Sequence, residues 1–141
     1  MADQKRLVLD ANILVSCIFG IKARSVVENF SDLAALCTPI TCVGETERNI
    51  TRIAKLSRLN PSTFQATFAR LLLNVEVIEH SALSALESSA ARRIPRGPSD
   101  WPIIAAAMLL DCPIWTEDRD FFGCGIATWT TNTVELSLQD G

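Results

Sequence analysis

Acidic residues stand at the edges of expected elements in four separate parts of this chain. Asp10 ends the apolar run Arg6-Leu7-Val8-Leu9, and Glu45 and Glu47 lie together in Glu45-Thr46-Glu47-Arg48-Asn49-Ile50. Asp100 stands in Ser99-Asp100-Trp101-Pro102, and Asp118 and Asp120 in Trp115-Thr116-Glu117-Asp118-Arg119-Asp120-Phe121-Phe122. Carboxylates held close together repel one another and lose hydration, so a fold that gathers four of them usually offsets the cost with a divalent cation. The chemistry this pattern points to is metal-dependent hydrolysis.

The elements that must position these acids follow from periodicity and breakers. Arg6 to Leu9 reads as a strand, and Asn12 to Gly20 as a helix after it. Ala23 to Ala34 carries Val26, Val27, Phe30 and Leu33 at helical spacing, and Leu36 to Thr38 is a short extended segment before Pro39. Ile50, Ile53, Ala54 and Ser57 share one face of a further helix, and Asn60-Pro61-Ser62 restarts another with Phe64, Phe68, Leu71 and Leu72. Val75 to Ile78 is a strand, Ser84 to Arg92 a weakly marked helix, and Ile94 to Pro98 a loop. Pro102 to Leu110 is apolar almost all round, which predicts a buried helix. Strands follow at Pro113 to Thr116 and Ile126 to Trp129, and the chain closes on a helix around Asn132 to Leu138. Strands alternating with helices predict an α/β fold: three layers, α/β/α, on a central parallel sheet of four to five strands, forming one domain over residues 1–141.

Ligands of such folds sit beyond the carboxyl ends of the strands. Asp10 and Asp118 are expected at that edge because they follow strands, and Glu45 and Asp100 because each is read as beginning a helix, where the macrodipole favours an ionised carboxylate. Each acid also has a plainer use. Asp100 suffices as a cap for the Pro102 helix, Asp10 as a turn residue, Asn12 as an N-cap, and Asp118 and Asp120 as parts of a polar turn. Glu117 is expected to be exposed. Spacing alone does not choose between Glu45 and Glu47.

Composition narrows the class. The chain has 141 residues, 48% of them hydrophobic, enough for one core. The N-terminus lacks the pattern of a signal peptide, and no apolar stretch has the length of a membrane span. Five cysteines, with no C-x-x-C pair and no nearby histidine, read as reduced thiols of a cytoplasmic protein. A net charge of −3 gives no global attraction for nucleic acid, so a polyanion needs a local basic patch or bound metal.

Taken together, Leu7-Val8-Leu9-Asp10-Ala11-Asn12, Glu45 to Ile50, Asp100 before the Ala-rich helix, and Trp115 to Phe121 resemble the PIN domain. That is the nuclease fold of the VapC-type toxins of bacterial and archaeal toxin–antitoxin modules. The resemblance covers nearly the whole chain. It implies an endoribonuclease using Mg²⁺ or Mn²⁺, with Asp10, Glu45, Asp100 and Asp118 as its four acids and Asp120 as a fifth. Glu45 is aligned rather than Glu47 because Arg48-Asn49-Ile50 then falls where the family's helix continues. Asp10, Asp100, Asp118 and Asp120 are the implied metal ligands, and Asn12 and Thr116 the polar groups that support them. A cognate antitoxin chain and a homodimer are implied partners, with the helices around Phe64 and Phe68 offering an apolar surface.

RNA has two candidate grips. Arg48, Arg52 and Lys55 recur along one helix face, and Arg92, Arg93 and Arg96 cluster in the loop before Asp100; the second group suits phosphate better because guanidinium forks match its geometry. The same residues also serve as solvated surface. His80, the only histidine, reads as structural or surface. A haloacid dehalogenase-type phosphatase needs an Asp where Asn12 stands, and a phosphate-cradling G-x-x-x-x-G-K loop is absent. A module that binds metal or RNA without cleavage remains the alternative.

Overall fold

The computed structural model describes residues 5–139. The first half of the chain forms β1 (Lys5–Leu9), α1 (Ala11–Phe19), α2 (Lys22–Phe30), β2 (Ala34–Pro39), α3 (Ile40–Leu56) and α4 (Pro61–Leu72). The second half forms β3 (Val75–Ile78), α5 (His80–Leu83), α6 (Glu87–Arg93), α7 (Trp101–Leu110), β4 (Ile114–Trp115), β5 (Thr128–Trp129) and α8 (Val134–Gln139). Single 3₁₀ turns occur at Ser84–Leu86, Pro98–Asp100 and Arg119–Phe121.

Leu7, Val8 and Leu9 are fully buried in succession, which a strand tolerates only when both faces of its sheet are covered. β1 has that central place. The sheet runs β3-β2-β1-β4-β5 and every pairing is parallel, with Val8 opposite Cys37 on one side and Ile114 on the other. Parallel neighbours need crossovers, and helices supply the first three. The chain steps outward from β1 to β3, then crosses back through α5, α6 and α7 to the far side of β1. The order therefore reverses between β1 and β4, and the crevice at that switch point opens at the carboxyl ends of the strands.

α7 fits its apolar composition. Pro102 to Ala107 are all buried, and the helix stops at Asp111, whose left-handed φ of 50° lets Cys112 N–H return to the Ala107 carbonyl at 3.2 Å. Its N-terminus points to the strand ends where Asp10 lies. Among the described residues no helix is long and apolar enough to cross a membrane.

Several expectations are corrected. The helix expected to run to Ala34 ends at Phe30, because Ala34 pairs with Lys5 and opens β2; Leu33 is exposed in the intervening turn. α1 begins at Ala11, so Asn12 lies inside it and Asp10 is its cap. α3 starts at Ile40, straight after Pro39, which places Glu45 in the second turn and removes it from the helix start. The stretch Ser84 to Arg92 is split by a 3₁₀ turn, and Arg92 and Arg93 form the last turn of α6 instead of a loop. Phe68 is buried and Phe64 packs on Phe19 with ring centroids 4.7 Å apart, so these rings serve the core rather than a free surface.

Candidate active site

Asp10 leaves β1 in extended conformation, and its backbone N–H bonds to the Trp115 carbonyl at 3.1 Å, tying it to β4. Its carboxylate is buried, and each oxygen has a fixed donor. Oδ1 accepts from Ala11 N–H at 2.7 Å as the cap of α1, and Oδ2 accepts from Thr116 Oγ1 at 2.7 Å and Asn12 Nδ2 at 3.1 Å. The Thr116 hydroxyl in turn accepts from Asp118 N–H at 3.0 Å and lies 3.4 Å from Asn12 Nδ2. A hydroxyl has one proton and two lone pairs, and these three partners use all of them. Thr116 therefore locks the end of β1 to the loop after β4. Asn12 adds a second tie, its Oδ1 accepting from Glu117 N–H at 3.3 Å. Its plainer use as a cap is excluded by its position.

Asp118 turns the chain by accepting Asp120 N–H on Oδ1 at 2.9 Å. Asp100 ends the 3₁₀ turn Pro98–Asp100, and although it occupies the cap position of α7 its side chain makes no capping hydrogen bond. The plainer reading of Asp100 thus fails. Its carboxylate faces Asp120 across Gly97: a Cβ at Gly97 would lie 3.3 Å from Asp100 Oδ2 and 3.6 Å from Asp120 Oδ2. Gly97 has a φ of −146°, which other residues adopt, so its lack of a side chain matters for space. Glu45 and Arg48 line a cleft of about 300 Å³ with Thr41, Ser99 and Asp100, whereas Glu47 is not among its lining.

Electrostatics tie the acids together. Burial raises the pKa of Asp10, the Thr116 and Ala11 donors oppose it, and the charges of Glu45 and Asp118 add to it. Asp100 is pushed up to about 6 by burial and then by Asp10, Asp118 and Asp120. The charges acting on Asp100 are all carboxylates, the state a bound cation would relieve. Among the described residues no three Asp, Glu, His or Cys side chains close into a compact ligand group.

The basic residues divide. Arg48 borders the acidic cleft, while Arg52 is exposed further along α3 and donates to Asn49 Oδ1 at 3.3 Å; Lys55 is exposed in the last turn. Arg92 is exposed, Arg93 is tied to the Cys124 carbonyl at 3.1 Å, and Arg96 borders a second cleft that reaches Asp120. Glu117 is exposed and accepts Thr131 N–H at 2.6 Å. His80 is exposed, edge-on to Trp101 at 5.3 Å. Sequence reasoning missed Gly97, Arg119 and Phe122; for Gly97 the available signal was a glycine three residues before an acid. Cleft size does not locate the site: a larger cleft, about 580 Å³, lies at the amino ends of the strands around Lys5, Arg6, Asp111 and Cys112.

A model of the PIN domain matches residues 8–139 of the chain. The fold is similar to VapBC2 from Rickettsia felis bound to a DNA fragment from its promoter, with 13% identity, a TM-score of 0.70, and 89% of this chain and 98% of that chain covered. It is similar to PAE2754 from Pyrobaculum aerophilum, with 14% identity, a TM-score of 0.75 and 95% of each chain covered. A toxin–antitoxin complex from Klebsiella pneumoniae gives 19% identity and a TM-score of 0.64, covering 89% of this chain and 97% of that chain. No curated protein gives a significant match.

Proposed function

The chain belongs to the PIN domain family, and from that premise we propose that it is a metal-dependent endoribonuclease hydrolysing phosphodiester bonds of RNA. The observation that carries this reading is the gathering of Asp10, Glu45, Asp100, Asp118 and Asp120 at the β1/β4 switch point, with Asp100 raised to about 6 by burial and then by its acidic neighbours.

The donor set fits Mg²⁺ or Mn²⁺. Both are hard cations that take carboxylate oxygens, and Mg²⁺ keeps several waters instead of requiring a closed protein cage, so an open cluster suits it. The space that a Gly97 side chain would fill lies against the oxygens of Asp100 and Asp120. Asp10, Asp100, Asp118 and Asp120 would hold the ion. When bound, it supplies charge neutralisation at the phosphate, a water of lowered pKa and stabilisation of the leaving oxygen.

The chain's own groups do the rest. Thr116 and Asn12 hold Asp10 in one orientation, so its carboxylate needs no reorganisation during the reaction. Glu45, which lines a cleft with Asp100, would orient the attacking water. Arg48, in the same cleft, and Arg96, which lines a second cleft with Asp120, would receive phosphates. Arg52 and Arg92 are exposed further out, where they contribute longer-range attraction. The toxin–antitoxin neighbours support a cognate antitoxin as partner and action as the toxin of such a pair; a homodimer and a cytoplasmic location are further parts of the proposal.

Purified protein incubated with a mixed RNA panel in Mg²⁺ or Mn²⁺ tests the reading. Cleavage is expected, abolished by EDTA and reduced about a hundredfold or more by Asp100→Asn. Absence of cleavage by folded protein that binds RNA or metal would favour a non-catalytic binding module.

A further inference from the structure

A second cleft adjoins the acids on the side of Asp120. It is about 430 Å³ and is lined by Pro95, Arg96, Arg119, Asp120, Phe122 and Gly123 together with Arg93. Phe121 is fully buried, yet Phe122 beside it is 59% exposed. The 3₁₀ turn Arg119–Phe121 seats one ring in the core, and the next residue leaves in extended conformation with its ring outward. Gly123 follows at φ +86°, with open space where a side chain would stand, so the rim beside the ring stays clear. Arg93 is held to the Cys124 carbonyl, and Gly125 makes room for its guanidinium: a Cβ there would lie 2.6 Å from Arg93 Nη1. That fixes Arg93, which also lines the cleft, while Arg96 and Arg119 in the same lining are exposed.

An exposed ring alone is ordinary. An exposed ring that shares a cleft with two exposed guanidiniums and a candidate metal-binding acid is a combination with one economical occupant. A nucleotide offers a flat base for the ring and a phosphate for the forks, and stacking of this kind accepts any base. An acidic peptide would use the arginines and leave the ring without a partner. An apolar one would strip water from the guanidiniums without replacing it.

We propose that this cleft binds a nucleotide of single-stranded RNA flanking the scissile phosphate, its base lying on Phe122 and its phosphate held by Arg96 and Arg119. The proposal rests on the nuclease reading above and adds to it a subsite for one unpaired nucleotide. A duplex keeps its bases stacked on one another and has none to lay on the ring.

Binding of fluorescein-labelled single-stranded RNA, measured by anisotropy in EDTA, separates the cleft from turnover. Phe122→Ala is expected to weaken binding about tenfold and Phe122→Trp to restore it. Arg119→Gln is expected to lower the slope of log affinity against log salt by about 0.7. RNA carrying 2-aminopurine is expected to lose fluorescence on the wild-type protein and less on Phe122→Ala. Equal affinity of Phe122→Ala and wild type, equal losses on duplex RNA, or no binding by the wild type would each overturn the proposal. Unchanged RNA affinity with loss of a co-purifying protein would make the cleft a protein-docking surface and also overturn it. Ring-dependent binding without cleavage in Mg²⁺ or Mn²⁺ counts against the nuclease alone, and cleavage with ring-independent binding against the cleft alone.

Discussion

The Thr116 hydroxyl joins the two halves of the site, since it donates to Asp10 and accepts from the backbone of Asp118. Thr116→Val keeps the branched shape and β-propensity but removes the donor. Asp10 then loses the hydrogen bond that most opposes the effect of its burial, so its pKa rises further. The expected result is a ten- to hundredfold fall in divalent-cation affinity or RNA cleavage, with about 1–3 kcal/mol of stability lost in urea unfolding. Activity at the wild-type level would show that Asp10 does not need this orientation. The cysteines behave differently. Burial pushes Cys17, Cys37 and Cys42 up to about 12, which accords with inert thiols inside a core.

At the scale of elements, the acids owe their meeting to what surrounds each helix start. α1 is capped by Asp10 itself, whereas α7 is preceded by a 3₁₀ turn whose Asp100 leaves its carboxylate free of the helix. Gly97 opens that turn, accepting Asp100 N–H at 2.9 Å. Gly97→Ala would put a methyl group against Asp100 and Asp120 at a backbone angle alanine tolerates. The variant should therefore lose activity at least tenfold while its melting temperature changes little, since the penalty falls on oxygen positions and not on the core. Thermal melts and initial rates on the same preparation check this, and a large drop in melting temperature with normal rates would reverse it.

For the whole molecule, the unneutralised acids make the fold sensitive to pH and cations. Asp10 and Asp100 have raised pKa values in the fold, so their protonated forms are favoured there, and the stability linked to them is present at low pH and lost as pH rises. For Asp100 the window runs from the ordinary 3.8 to about 6. In EDTA the melting temperature should accordingly fall as pH is raised through that window, and Asp100→Asn should flatten the fall. Mg²⁺ or Mn²⁺ should raise the melting temperature more at pH 7 than at pH 4, because a cation binds the ionised carboxylates. A cation effect independent of pH would argue that the ion binds elsewhere. Much of this was legible in the residues themselves. The apolar run ending at Asp10, the all-round apolar stretch of α7 and the alternation of strands and helices specify a parallel α/β sheet, because period and burial are local signals. The boundaries erred where tertiary pairing overrode them, as when Ala34 left its helical pattern to pair with Lys5. Only the tertiary structure decided that Glu45 and not Glu47 shares a cleft with Asp100, that Thr116 bonds to Asp10, that Arg93 is spent on a carbonyl, and that Phe122 looks outward over a basic cleft. Those are relations between side chains far apart in sequence, set by how the strands pair and the loops pack, and no local periodicity encodes them.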